Sequence, residues 1–259
     1  MGSVMTMKDV GDKEKKGKQK TQYLYHYLSL NHLISILKNR QLCFCNPEYW
    51  DDKNDACFAK LAMPKGKAIG VICFTKTRET CTHWKAFASK GIGVKISFLQ
   101  NELLDSLKKN IEKDEKILDS SIVYKARKNI LKTNDTEIDK SFMPLFLKKS
   151  AYNNEKEYRV ACIVNARVCE DFGKVIRRIE MPLSCISRIT ISPYVKKSVA
   201  CDIIKLLKAY IESVKVDSES LNIEVKHSTM MYDQKWQMAG RNLVEQIKKE
   251  ECVFEEDEK

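Results

Sequence analysis

Strand-like segments recur along this chain without the even spacing of a β-α-β-α repeat, and that irregularity limits the fold more than any other feature. Ala68 to Thr75 is a continuous apolar run of strand length. Tyr158 to Val164 reads as a strand with strict alternation. Further strands are expected at 22–29, 42–45, 94–98, 121–124, 175–179, 188–192 and 223–225. Helices are expected at 31–39, 80–89, 101–113, 199–214 and 233–249, the first capped by Asn31. Leu33, Ile36 and Leu37 give the first helix an apolar stripe. Val199, Ile203, Leu206, Leu207, Tyr210, Ile211 and Val214 give one to the fourth. The mixture predicts an α+β fold with a mixed, largely antiparallel sheet and flanking helices rather than a doubly wound one.

With 259 residues the chain can bury a real core. The organisation expected is a disordered Lys-rich tail over 1–21, one α+β domain over 22–249 and an acidic tail over 250–259. No apolar run reaches the length of a membrane span, and no apolar segment follows the basic start, so a cytoplasmic protein without membrane contact is expected. The ten cysteines form no C-x-x-C pair. Cys73, Cys162, Cys185 and Cys201 lie in apolar segments, which suits reduced thiols packed as small hydrophobes. Metal ligation is not expected, because Cys81-Thr82-His83 lacks partners at zinc spacing and the acidic loop 51–55 lacks the EF-hand pattern.

The formal net charge is +11. Residues 1–22 contribute +3 and residues 245–259 contribute −4, which leaves +12 on the body between them. Such a body attracts polyanions, nucleic acid foremost.

Four short segments carry side chains suited to chemistry. In Glu155-Lys-Glu157-Tyr-Arg159, an extended backbone sets both acids and the arginine on one face and Tyr158, Val160 and Cys162 on the other. That is either a reactive edge or a solvated strand end. Thr75 and Thr77 close the apolar strand with hydroxyls. Tyr25-His26-Tyr27 places His26 among leucines, as a core histidine would be. Trp84 and Phe87 share a helical face suited to packing.

The order of these pieces resembles a known pattern. It runs through Tyr25-His26-Tyr27, an aromatic and Asn-Asp loop at 49–55, Cys73-Phe74-Thr75, Trp84-x-x-Phe87 with Gly93-Val94, Val123-Tyr124, Phe146-x-Lys148 and Glu155-x-Glu157-x-Arg159. It resembles the prokaryotic domain of unknown function numbered twenty-nine seventy-one, over about residues 22–230. The usual loop has Asn-Asp-Pro where this chain has inserted residues and no proline, and the usual Phe-Ser is Phe-Thr here. More loosely, the chain is similar to the ADP-ribosyltransferase superfamily, whose members bind NAD in a cleft between two small sheets. That similarity implies a split sheet and NAD as substrate. It implies Glu157 at the ribose and Glu155 at the acceptor. It gives His26 and Tyr27 to the adenosine side, Thr75 to the support of Glu157, Tyr25 or Trp84 to ring stacking, and Arg159 to Glu157 or a phosphate. A toxin or anti-phage effector follows, acting on nucleic acid or protein, with room for a regulatory partner protein. Two other readings stay open: a nuclease-like effector with Mg²⁺ on Glu155, Glu157 and an acid of the 51–55 loop, and a non-catalytic nucleic-acid-binding module.

Overall fold

A computed structural model describes residues 21–88, 91–130, 139–166, 174–214 and 221–256, with side chains up to 248. The tail expected over 1–21 lies almost wholly outside the described residues. In chain order the strands are β1 (Tyr23–Ser29), β2 (Gln41–Cys45), β3 (Lys67–Thr75), β4 (Gly93–Leu99), β5 (Lys116–Ser121), β6 (Val123–Lys125), β7 (Leu147–Lys149), β8 (Glu157–Asn165), β9 (Val175–Glu180), β10 (Ile186–Ile191) and β11 (Glu224–His227). The helices are α1 (Leu30–Asn39), α2 (Lys53–Leu61), α3 (Cys81–Phe87), α4 (Gln100–Lys109), α5 (Lys197–Ser213) and α6 (Gln234–Glu256).

Several boundaries differ from expectation for local reasons. Ser29, not Asn31, caps α1, because its hydroxyl accepts from the His32 N–H while the backbone is still extended. The acidic loop is shorter than expected. Asp52 caps α2 by accepting from Asn54 and Asp55, which draws Asp55 into the first helical turn. The strand expected at 121–124 is divided between β5 and β6. The last helix runs on to Glu256, past the expected start of the acidic tail.

The mixed α/β fold has a mostly antiparallel sheet. Among the described residues nine strands form one sheet, in the order β11-β10-β4-β1-β3-β2-β9, with β8 along the other edge of β3 and β5 beyond it. Only the β10–β11 pair in it is parallel. A small parallel pair, β6 with β7, stands apart.

Strand β3 is the pivot. One of its edges pairs with β8 from Lys67↔Asn165 to Thr75↔Glu157. Its other edge is shared: β1 meets it at Tyr25↔Thr75, and β2 meets it at Cys45↔Val71. The sheet therefore forks at β3, with β1-β4-β10-β11 on one prong and β2-β9 on the other.

Alternation along β8 sends Tyr158, Val160, Cys162 and Val164 into the main core, with α1, α4 and α5. Ala161 and Ile163 enter a second core under α2 and the 3-10 segment Lys140–Phe146. Both faces of β8 are thus covered, which a sequence with Glu157 and Arg159 on one of them does not suggest. On α5, Ala200, Ile203, Leu207 and Ile211 are buried, while Val199 and Leu206 of the expected stripe are exposed. The eight cysteines described are free; Cys162 and Cys185 are buried, but Cys201 is exposed, contrary to its apolar neighbourhood in sequence. No helix among the described residues is long and apolar enough to cross a membrane.

Gly70 lets the second prong approach β3. A Cβ there would stand 2.7 Å from the Phe44 Cβ and 2.8 Å from the Phe44 carbonyl oxygen. Gly70→Ala is expected to weaken the fold by about 1–3 kcal/mol through this crowding. Urea unfolding monitored by circular dichroism measures it, and an unchanged midpoint would show that β2 gives way freely.

Candidate functional site

A cavity of about 730 Å³ opens over the fork. Its walls come from β1 (Tyr25, His26, Tyr27), the end of β3 (Cys73, Phe74, Thr75), α3 (His83, Phe87) and the segment 50–55. Its floor is ionic: Asp55, Lys148, Glu155, Glu157 and Arg159.

Arg159 organises the floor, and its side chain is 1% exposed. Nε donates to Glu157 Oε1 at 2.7 Å, and Nη2 donates to Glu157 Oε2 at 3.1 Å. The Nη atoms also donate to the two Asp55 oxygens at 2.9 and 2.5 Å, and Nη1 donates to the Leu145 carbonyl at 2.7 Å. All five N–H groups of the guanidinium thus have a partner. Trp50 covers it, with its ring centre 4.6 Å from Arg159 Cζ. A buried charge is tolerated only when paired this fully.

Lys148 is the second cation. It donates to Glu155 Oε2 at 2.7 Å and Glu157 Oε2 at 3.0 Å, and lies 3.6 Å from Asp55 Oδ2. Three carboxylates and two cations leave the floor with one net negative charge. Burial disfavours the Glu157 carboxylate, but Arg159 and then Lys148 outweigh it and pull its pKa down to about 2. Burial raises the pKa of Glu155 above the ordinary value, and Lys148 offsets this only in part. The two acids are therefore unlike: one firmly ionised, the other nearer to taking up a proton. Burial also opposes the Lys148 charge, yet Glu157 and Glu155 hold its pKa above the usual lysine value.

Glu155 does not share the strand with Glu157, as the extended reading expected. It ends the 3-10 segment Ser150–Glu155, and Lys156 turns the chain with φ 46° before β8 begins. The turn is pinned from below. Thr75 Oγ1 donates to the Glu155 carbonyl at 2.6 Å, and His83 Nε2–H donates to it at 3.0 Å. Tyr124 Oη accepts from the Glu157 N–H at 2.8 Å. Thr75 thus supports the turn that carries Glu155, in register with Glu157 rather than bonded to its carboxylate.

The remaining expected residues are brought together unequally. His26 sits at the fork, and its Nδ1–H donates to the Cys73 carbonyl at 2.8 Å. Burial lowers its pKa, so the neutral ring keeps Nε2 as an acceptor. Tyr27 donates to the Arg78 carbonyl and stacks on His83. Tyr25 lines the wall. Trp84 is not among the lining residues: it is 1% exposed, packs edge-on under Tyr27 and donates its indole N–H to Glu79. Its helical neighbour Phe87, expected in the core, is exposed on the cavity wall instead. Arg159 has no N–H left for a phosphate. Asp55, Lys148, Trp50 and Tyr124 complete the site without having been singled out as ligands of one another. The sequence signal for Lys148 is the Phe146-x-Lys148 step, which a second lysine, Lys149, follows at once.

A site for Mg²⁺ on Glu155, Glu157 and an acid of the loop is not formed. Asp55, Glu155 and Glu157 do converge, but Arg159 and Lys148 stand between them. Among the described residues no group of three or more His, Cys, Asp or Glu side chains is arranged to hold a metal ion.

No family model matches the chain, and no curated protein matches it, so the resemblance to the uncharacterised prokaryotic family rests on motif order alone. Two solved structures of DarT from Thermus sp. 2.9 match at low identity. The complex with carba-NAD+ shows 12% identity and a TM-score of 0.37 over 83% of this chain and 100% of that one. The complex with NAD+ shows 11% identity and a TM-score of 0.36 over 83% and 99%. Superpositions this loose define no common fold.

Two outcomes follow from the ionic floor. Asp55→Ala strands a buried guanidinium and is expected to destabilise the protein by about 3–5 kcal/mol in urea unfolding; a change below 1 kcal/mol, the ordinary loss of a surface pair, would mean Arg159 finds water. Because folding depresses the pKa of Glu157 from 4.5 to about 2, its stabilising contribution is complete above pH 4.5 and fades toward pH 2. The gap in thermal midpoint between wild type and Glu157→Gln should therefore be widest at neutral pH and narrow through that window.

Proposed function

We propose that the protein is an NAD-dependent ADP-ribosyltransferase-like effector, of toxin or anti-phage type, that modifies nucleic acid or protein. One observation carries the reading. An ionised Glu157 and a Glu155 of raised pKa sit side by side at the floor of an aromatic-walled cavity of about 730 Å³, a size typical of small-molecule sites.

Release of nicotinamide from NAD leaves positive charge on the ribose, as glycoside cleavage does. A fixed negative charge close by stabilises that state without reorganising. Glu157 supplies the charge. Arg159 holds its carboxylate rigid, and a ribose hydroxyl reaches Oε2 by taking the place of Lys148. Glu155 accepts the proton of the incoming nucleophile, and its raised pKa suits a group that must gain and lose a proton. Tyr25 and Phe87 offer ring faces on the wall, and His26 Nε2 offers an acceptor to a hydroxyl. The basic body favours a polyanionic acceptor.

Mass spectrometry of NAD, DNA, RNA and protein after incubation with the enzyme is the direct test. Wild type should consume NAD without added metal, and Glu157→Gln should lose nearly all of that turnover while retaining a cooperative unfolding transition. Wild type that leaves NAD intact rejects the enzyme and leaves a binding module. For Glu155→Gln, transfer to the acceptor should fall by roughly 10²–10⁴-fold, the usual share of a proton-transfer group. In wild type the acid limb of the transfer rate should lie above pH 4.5, the ordinary glutamate value that burial raises here, and Glu155→Gln should flatten it.

A further inference from the structure

The two acids of the floor are held by different devices. Glu157 lies on β8 and is gripped by the fork of Arg159. Glu155 precedes the strand, and its carboxylate is bonded to the Lys148 ammonium, a point charge that sets distance but little direction. The direction of Glu155 is therefore set by its backbone. That backbone runs into the left-handed turn at Lys156, φ 46° and ψ 45°, which has no glycine to make it easy and needs support from other elements. The Glu155 carbonyl receives that support twice, from Thr75 Oγ1 at the end of β3 and from His83 Nε2–H on α3, so both lone pairs of its oxygen are taken.

His83 is built for this one bond. Thr80 Oγ1 lies 2.5 Å from Nδ1 and donates to it, which keeps the ring proton on Nε2 and aimed at the carbonyl. The same Thr80 oxygen accepts the His83 backbone N–H and caps α3. The side chain is buried, with its ring against those of Tyr27 and Phe87 at centre distances of 5.4 and 5.9 Å. Packing alone asks only for a ring at this place. The nitrogens answer to Thr80 and Glu155, so His83 has none to offer a ligand although it lines the cavity. Its chemistry reaches the cavity through Glu155.

We propose that His83 is a positioning residue for the acceptor step: by holding the Glu155 carbonyl it aims the Glu155 carboxylate at the incoming nucleophile, without touching substrate itself. The proposal rests on the ADP-ribosyltransferase reading, in which Glu155 takes up the nucleophile's proton.

Three substitutions separate the donor from the ring. His83→Phe keeps the ring and removes the donor. His83→Gln and His83→Met are close in size, and of the two only His83→Gln keeps an N–H. The first measurement uses radiolabelled NAD with total cellular DNA, RNA and protein as acceptors. The ratio of transfer to NAD hydrolysis should fall roughly ten-fold or more in His83→Phe and His83→Met, the scale of a small misplacement of a reacting group, and His83→Gln should recover most of it. The second needs no turnover. Carbon-13 NMR of the ligand-free protein follows the glutamate carboxyls, with Glu155 assigned from the spectrum of Glu155→Gln. Its titration midpoint, raised by burial in wild type, should drop toward that of an ordinary glutamate in His83→Phe and His83→Met and stay high in His83→Gln, while Glu157, gripped by Arg159, keeps its own midpoint in all three. Should His83→Phe fail to fold, the pair of similar size carries the same contrast. A transfer ratio and a Glu155 midpoint unchanged in His83→Phe overturn the proposal, as does equal loss in His83→Gln and His83→Met. A shift of Glu157 together with Glu155 also overturns it, since it marks a general loosening of the floor. Wild type that leaves NAD intact overturns the ADP-ribosyltransferase reading and the acceptor step with it, and the titration then decides alone whether His83 places Glu155.

Discussion

A single guanidinium decides where the pieces of this protein meet. Arg159 leaves β8 and binds the first turn of α2 through Asp55, its own strand through Glu157, and the 3-10 segment Lys140–Phe146 through the Leu145 carbonyl. Burying one unpaired charge would cost more than most single contacts in the protein return. Each of these elements is therefore constrained to present an oxygen at one point. The apolar contacts of Ala59, Ala62, Leu145 and Phe146 press the same elements onto β3 and β8. Hydrophobic burial brings them close without direction, and the arginine fixes their angle and register. Lys148 then completes the charge balance and holds Glu155 and Glu157 together despite their like sign.

The cavity is a consequence of topology before it is a consequence of side chains. A strand has two edges, and β3 gives one wholly to β8 and divides the other between β1 and β2. The prongs diverge, and the space between them must be lined by something. His26 closes its apex through the Cys73 carbonyl, aromatic rings from β1 and α3 form the walls, and the ionic cluster forms the floor. Because the sheet is continuous through Thr75 on both sides of the fork, the walls are carried on strands rather than on long loops. The Glu157 carboxylate is held on this frame by two hydrogen bonds from Arg159.

The strands and most helices were legible in the sequence because they depend on local periodicity. The 68–75 run, the alternation over 158–164 and the stripe on α1 all appear where the pattern places them. The mostly antiparallel character of the sheet was legible in the irregular strand spacing, and Tyr25, His26, Tyr27, Thr75, Glu155 and Glu157 line one cavity. What was not legible depends on partners distant in sequence. Arg159 reads as a solvated strand residue until Asp55 is placed opposite it. Trp84 and Phe87 exchange expected roles, because which member of a pair three residues apart faces a core is set by where α3 docks. The left-handed turn at Lys156 has no glycine or asparagine to announce it. Its stability comes from Thr75 and His83, which hold the Glu155 carbonyl from two other elements.

The bond between Asp55 and Arg159 joins positions 104 apart in the chain. Ribosomes deliver the two ends of that bond at different times, and loop closure over such a length is slow compared with forming a helix or a hairpin. A nascent polypeptide that has reached β4 owns the aromatic walls but only Asp55 of the floor, and its α2 has no anchor. Glu155 and Glu157 arrive on the same stretch as the arginine that restrains Glu157. The ionic floor is therefore assembled only after β8 has been made, later than the strands and helix that carry the aromatic walls.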